Sequence, residues 1–480
     1  MKLSISDQLT FHAYIIQAAA HASAEHYYLQ NHGKRAATRL GKSARKRVRR
    51  SVGEIYHCLG PIYFRRAYRM SYNSFWRLHD LLEAKIEEAA ANVRGYTRSV
   101  NGERFQRCPP IPNGEIRSSV RLGIAIRYFA GGSPYDIMMK FGVSHTSVFE
   151  SVWIVVEAVN QLPAMKIQYP SDVAEQKRIA KGFCDASKVK FDCCAGAIDG
   201  ILIWMHKPSL KEANAAGVGQ KKFLCGRKNK FGLNCQAVSD VRGRILDISI
   251  TYGGSSSDCL AFEASELHKK LEDGLLTDGL VLFGDNAYLN TKYMATPYPN
   301  IAGRDQDRSK DNYNFYHSQV SFYCYLSSRS LTTHIFLVFS LFLFQLRIRI
   351  ECAFGMMVQR WGILRMAMPK GLGIARIIAL VNCLAKLHNF CIMENELIAQ
   401  ELNIDTQHII NNEEGFVAMV SSREHGISLP RGLMEPGHHY RDIPRNARRQ
   451  HERAIAEVNL PRQWLLEQVI DSHLKRPVVT

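Results

Sequence analysis

Two short apolar runs, each carrying an aspartate, constrain this chain more than any other feature. CAGAIDGILIWM (194–205) is of strand length, and Asp199 closes its first part, CAGAID. GLVLFGD (279–285) is a second, buried strand that ends on Asp285. Such acids are poorly placed for a core, whereas the carboxyl ends of central strands are where open α/β sheets build their sites. Between them FGLNCQAVSD and RILDISITYGG, joined by the turn-like VRGR around Gly243, predict a hairpin. SSSDCLAFEASELHKKLEDG then reads as one amphipathic helix that starts on small polar residues and stops at Gly274. The expected class is therefore α/β.

After residue 347 the pattern is helical: RIRIECAFGMMVQRWGILR, then ARIIALVNCLAKLHNFCIMENELIAQEL. Glu351 lies one turn before Phe354 and Gly355, with Val358 beyond, and so falls on a mostly apolar, inward-facing stripe. A lone acid there is costly unless it is paired or bound to a cation. Three acids converging from two strands and a helix, Asp199, Asp285 and Glu351, would suit hard divalent cations such as Mg²⁺. Two such ions roughly 3.5–4 Å apart can activate a water or a 3′-hydroxyl and stabilise the leaving oxygen at phosphorus. Plainer roles exist for each acid. Asp199 stands in an Asp-Gly turn dipeptide, Asp285 could cap the next segment, and Glu351 could pair with Arg347. Asp258 is either an acid at a helix N-terminus, favoured by the dipole, or a further metal ligand. Asp240 and Asp247 read as turn and exposed-strand residues.

Upstream, residues 106–185 read as a helical domain. IRSSVRLGIAIRYFAGG sets Val120, Ile124 and Tyr128 at four-residue spacing and stops at two glycines. SPYDIMMKFG is a short helix capped by Ser133 and stopped at Gly142, and a third helix begins near Ser144. That is the layout of a helix-turn-helix, in which Ser144, His145, Thr146 and Ser147 would face the major groove. The third helix carries no Lys or Arg, so three packed helices without a DNA role fit equally well. Residues 1–105 form a basic N-terminal region. Its run 34–50 holds nine Lys or Arg and no acid, which suits a nuclear address or a DNA-contacting arm as well as a solvated charge run. The whole chain carries a formal charge of +18, which favours a polyanionic partner without specifying one. The N-terminus lacks the pattern of a signal peptide. The twelve cysteines show no zinc-type spacing, and Cys193 and Cys194 read as small core residues. Residues 396–480 are a polar tail with one helix near Trp464.

As a set, the motifs resemble the Harbinger (PIF) transposases and the Harbinger-derived nucleases. GAIDG (196–200), SDVRGRILDI (239–248), GGSSSDCLAFEAS (253–265) and GDNAYLNTKYMATPY (284–298) match, followed by NYNFYHSQ (312–319), RIRIECAFGMMVQRWGILR (347–365) and VNCLAKLHNF (381–390). They occur in the family order across roughly 190–395. The resemblance implies an RNase H-like DDE nuclease domain there, using Mg²⁺ or Mn²⁺. It places the family's three acids on Asp199, Asp285 and Glu351, and the acid before the helix on Asp258. It also implies a nuclear location, DNA partners (transposon ends and a target site), a Myb-like partner protein and assembly on DNA as an oligomer. One departure is local: the family often has Thr-His after its Asp-Gly, where this chain has Ile201-Leu202, then Trp204 and His206.

The second departure is an interval of 66 residues between Asp285 and Glu351, longer than such sites usually show. The excess is residues 320–345. This segment begins Val-Ser, which GTA-AGT would encode, and ends at Gln345, which CAG would encode. Before the end comes IFLVFSLFLF, rich in pyrimidine-rich codons. It reads as an in-frame retained intron. The competing membrane span is an apolar stretch of about 16 residues at 331–346, short of the roughly 20 a span needs, and it carries His334. A genuine lid insertion would expose a large apolar patch. The expectation is a protein that binds no membrane.

Overall fold

The computed structural model describes residues 47–94, 97–100, 103–106, 115–187, 189–298, 308–318, 348–401 and 461–475. Residues 320–345, positions 34–46 of the basic run and 402–460 of the tail lie outside the described residues. All described residues except Arg47 fall in one compact unit.

Helices precede the sheet. α1 (Val52–Tyr68) opens with a reciprocal capping box between Ser51 and Glu54. α2 (Tyr72–Arg94) folds back on it through aromatic contacts: Phe64, Tyr68 and Phe75 are buried, and Tyr56 stacks on Tyr72 at 4.0 Å. Strands β1 (Thr97–Val100) and β2 (Glu103–Gln106) form a separate antiparallel hairpin. α3 (Ser118–Phe129), α4 (Pro134–Phe141) and α5 (His145–Gln161) follow, with the caps expected of Ser133, Gly142 and Ser144. Gly142 takes φ 64, and a Cβ there would overlap the Val48 carbonyl oxygen, so glycine is required. Ser144 and Ser147 spend their side chains on the cap of α5, and the His145 ring lies against those of Tyr135 and Phe149. α6 (Val173–Ala186) then packs on the sheet.

The larger sheet is mixed. β3 (Cys194–Trp204) runs antiparallel to β5 (Lys230–Ser239) and parallel to β7 (Val281–Phe283), which is parallel to β8 (Met294–Ala295). On its far edge β5 pairs with β4 (Leu224–Cys225) and with β6 (Ile245–Gly253), the second arm of the expected hairpin. A short helix α7 (Leu210–Ala215) lies between β3 and β4. Asp199 does not end its strand. It sits mid-way along β3, opposite Ala237, because the buried strand β5 pairs with β3 as far as Trp204. It does lie just beyond the part of β3 that pairs with β7.

The segment expected as one helix at 255–274 is two, α8 (Asp258–Glu263) and α9 (Glu266–Glu272). Ser257 and Ser265 each accept a hydrogen bond from the amide three residues on, so the second serine restarts the helix where the first would have continued. Asp240 is a turn residue as expected, but a buried one: it accepts from the Arg242 and Arg244 amides and from the Arg244 guanidinium, which also reaches Glu175 of α6. Asp247 is half-buried rather than exposed, and burial pushes its carboxyl up to about 6.

α10 (Arg308–Ser318) buckles the parallel strands together: His317 bonds to the Ala295 carbonyl and stacks on Phe283 at 4.6 Å. α11 (Ile348–Arg360) crosses β3 and β5, and α12 (Ile374–Glu401) packs against α5, β6 and α11. Ile374–Asn395 is long and apolar enough to cross a membrane, yet most of it is buried inside the protein, as a core helix is. His388 and Asn389 on α12 bond to the backbone of Gly243 and Ile245, holding the β5–β6 turn. The tail helix near Trp464 is α13 (Pro461–Asp471), which buries Leu465 and Val469 beside α10 and β8. Cys193 and Cys194 are buried thiols.

Candidate active site

Three of the four acids singled out in the sequence gather around one buried tyrosine. Burial raises the Tyr288 hydroxyl well above its ordinary range, and the charges of Asp258, Asp199 and Asp285 all act on it in the same direction. Its hydroxyl donates to Gln236 Oε1. Gln236 Nε2 in turn donates to Asp258 Oδ1 at 3.0 Å, and so does Asn234 Nδ2 at 3.0 Å. Asp258 thus both begins α8 and points back at β5. Desolvation pushes its carboxyl up and the nearby Asp285 adds to this, while Asn234, Arg227 and Gln236 oppose it. Asp285 is buried two residues beyond β7, and its Oδ1 accepts from the Ala287 amide at 2.8 Å. It therefore does cap the following turn. Asp199 is half-buried, and its Oδ1 accepts from the Gly200 amide at 2.8 Å.

The Asp199-Gly200 dipeptide is not a turn. Gly200 is in mid-strand, where a Cβ would overlap Asp258 Oδ1 and lie 2.5 Å from Gln236 Nε2. Glycine is what lets these two side chains close over β3 beside Asp199.

Glu351 is half-buried in the first turn of α11. The residues that α11 buries are Ile350, Ala353, Phe354, Met357 and Val358; Phe354 and Val358 lie on the Glu351 side as expected, while Glu351 itself is only half-buried at the border of that stripe. Among the described residues no three of His, Cys, Asp and Glu stand close enough to form a ready-made metal shell. The donor set itself fits a hard divalent ion: oxygen donors only, in like-charged proximity that a cation would offset.

Residues 198–389, which contain all four acids, match the family described as DDE superfamily endonuclease. That match covers about two fifths of the chain. The chain is 27% identical over 214 residues to the ALP1-like protein of Arabidopsis thaliana (42% of this chain, 49% of that one). It is 28% identical over 185 residues to the candidate nuclease HARBI1 of Homo sapiens and 26% over 183 residues to that of Rattus norvegicus (38% of this chain, 49% of each). The chain thus spans about half the length of the curated relatives it matches. No solved structure matches it.

Within the matched segment, the structure gathers three of the four acids named from the sequence and adds supports that the sequence reading lacked. Asn234 and Gln236 are two amides at i and i+2 in an otherwise buried strand, an alternation that puts both on one face. That pattern was the available signal. Tyr288 offered none, because only the folded sheet brings it under β5. Two further cations stand at the rim, on the turn between β4 and β5. Arg227 is exposed, and Lys228 is half-buried within reach of the charges of Asp258 and Asp199. Burial, with Arg227 beside it, lowers the Lys228 ammonium.

Proposed function

We propose that this chain is a transposase or transposase-derived endonuclease that cleaves DNA phosphodiester bonds with divalent metal. The observation that carries the reading is the gathering of Asp258, Asp285 and Asp199 around the buried Tyr288, inside the matched segment. On this reading the domain is RNase H-like, and the strand order β6-β5-β3-β7-β8 supports that. Asp199, Asp285 and Glu351, with Asp258, would hold the Mg²⁺ or Mn²⁺. Such ions supply charge stabilisation for an in-line displacement at phosphorus.

The chain's own residues preorganise the site. Asn234 and Gln236 hold the Asp258 carboxylate, Tyr288 fixes Gln236, and the Ala287 amide fixes Asp285. Glu351 enters on α11, whose apolar face against β3 and β5 sets how near it comes. The helix-turn-helix-like unit α3–α5 and the basic region 34–50 would hold DNA. A nuclear location, oligomeric assembly on DNA, a Myb-like partner and the absence of membrane binding belong to the same proposal.

Strand cleavage of the element's end DNA in Mg²⁺ or Mn²⁺, by the full chain and by a version lacking residues 320–345, tests this. Cleavage that disappears in Asp199→Ala, Asp285→Ala and Glu351→Ala is the expected result. Cleavage retained by any of these variants removes that residue from the mechanism. A second reading, a DNA-binding descendant that does not cut, is favoured by one observation: the described acids do not close into a metal shell. A folded protein that binds DNA but never nicks it would establish that reading instead.

A further inference from the structure

Five cations converge on the seam between the helical segment and α11, away from the carboxylates. Arg69 is the left-handed C-cap of α1, and its Nη2 reaches the Ala130 carbonyl at 3.4 Å. Arg127 lies in the last turn of α3, packed so that a Cβ on Gly132 would sit 3.0 Å from its Cζ. Lys140 of α4 holds its ammonium 5.7 Å from the centre of the Tyr68 ring. Arg360 ends α11, and Arg365 follows in the next turn, its Nη2 donating to the Gln359 carbonyl at 3.0 Å. The backbone of Gly362, between these two, packs directly on Gly131 and Ala130 after α3. Every charged neighbour acting on Arg69 is itself a cation: Arg365, Arg127 and Arg360. Arg127 also acts on Lys140.

Among the described residues no acid forms an ion pair with this cluster, whereas Arg77, Arg178 and Arg244 each take part in one. The side chain beside Arg360 cannot share the charge load. His388 Nε2 bonds to the Gly243 carbonyl and Nδ1 faces Arg360, which fits a neutral ring. The Arg69 Nε is buried without a hydrogen-bond partner. Four of the five are half-buried and Arg365 is exposed, so the cluster is partly desolvated and still open to solvent. Like charges drawn together from five elements, their donors only partly used, match an anion that brings several oxygens at regular intervals.

We propose that Arg69, Arg127, Lys140, Arg360 and Arg365 form a binding site for the phosphate backbone of duplex DNA. A chain of phosphates suits the site better than a carboxylate-bearing protein, because a duplex presents charges at short, regular intervals along a continuous backbone. The seam also leads to the nuclease. Arg360 and Glu351 share α11, nine residues apart, which is about 13 Å along the helix and close to the length of four base pairs. That the anion is DNA rests on the nuclease reading above.

Fluorescence anisotropy of the full chain on a labelled duplex of mixed sequence, without divalent metal and from about 50 to 200 mM salt, tests the site. Each lost phosphate contact flattens the plot of log affinity against log salt by about 0.9. Arg127→Gln/Lys140→Gln/Arg365→Gln is expected to flatten it by about 2.7, equally on unrelated sequences. Arg127→Lys/Arg365→Lys keeps the wild-type slope. If the triple variant does not fold, Arg365→Gln alone, at an exposed position, flattens the slope by about 0.9. A slope unchanged in the folded variants overturns the proposal. Loss of poly-glutamate binding with an unchanged DNA slope also overturns it, in favour of an acidic protein partner. A chain that never cuts DNA but shows the slope change refutes the nuclease reading and leaves this site standing.

Discussion

Gly200→Ala tests the architecture of the carboxylate site without removing any carboxylate. The added methyl would overlap Asp258 Oδ1 and lie 2.8 Å from its Cγ and 2.5 Å from Gln236 Nε2. Contact between such atoms needs well over 3 Å, so both side chains must retreat. Retreat breaks the hydrogen bonds from Asn234 and Gln236 to Asp258 and pulls Gln236 from Tyr288. Bonds to a charged group are each worth about 1.5–3 kcal/mol, and some of this returns because half-buried Asp258 can turn toward water. A net loss of about 2–4 kcal/mol follows, or a melting temperature lower by on the order of 3–6 °C for a unit of this size. Displacing a positioned group by an ångström costs roughly 100-fold in rate, so cleavage falls by about that factor below the melting point. Circular-dichroism melting and a cleavage assay read the two effects. An Asp258→Ala background removes one colliding partner, and there Gly200→Ala should lose about half its stability cost or more. A Gly200→Ala protein that melts within a degree or two of wild type and cuts normally would refute the packing argument. Strictly additive effects in the double variant would refute it too.

Other positions give independent checks. His388 is buried beside Arg360, and its ring is lowered from 6.5 to about 3, so it contributes stability fully above pH 6.5 and loses it as pH falls toward 3. Melting followed from pH 7 to 4 should show a loss of about 1.4 kcal/mol per unit below 6.5 that is absent in His388→Gln. An equal slope in both proteins would place that loss elsewhere. Asp247 behaves oppositely: burial raises it to about 6, so its cost is absent below pH 3.8, grows as pH rises and levels off above 6. Asp247→Asn should therefore raise stability at pH 7 by on the order of 2 kcal/mol and leave it unchanged at pH 3.5, as denaturant midpoints at the two pH values will show. Gly142→Ala adds left-handed strain and an overlap with the Val48 carbonyl, and should cost at least about 2 kcal/mol by urea unfolding. A midpoint within error of wild type would mean that this turn has room to relax.

What the sequence disclosed was set by range. The caps at Ser133, Gly142 and Ser144 were readable because a cap is decided within three or four residues. The hairpin was readable from its two runs and from Gly243, whose φ of 83 only the turn requires. The single helix expected over 255–274 failed because two serines compete for the same role and periodicity cannot tell a restart from a continuation. Strand β3 outran Asp199 because pairing with β5, at separations that fall from 38 residues at Asp199 to 28 at Trp204, holds it to Trp204. The acids themselves were visible as chemistry out of place, but Asn234, Gln236 and Tyr288 become site residues only through contacts made across the folded sheet.

The same logic of misplaced charge links the two regions proposed to act on DNA. A carboxylate cluster and a cation cluster with no ion-paired acid among the described residues are each costly in a folded protein. The obvious economy, pairing the two internally, is not taken: Arg69, Arg127, Lys140, Arg360 and Arg365 stand at the helical seam, while Asp199, Asp258 and Asp285 stand around Tyr288. On the proposed reading a counter-charge from outside would stabilise each cluster, and the two counter-charges have opposite sign. A divalent ion meets the first and a phosphate backbone the second. A metal-bridged phosphodiester running along α11 would meet both. On the proposed reading, the separation of these charges is then part of how the protein distinguishes its substrate from a free ion of either sign. Metal and DNA should accordingly bind the wild-type chain more tightly together than separately, and charge removal at the seam should weaken that coupling while the carboxylates stay intact.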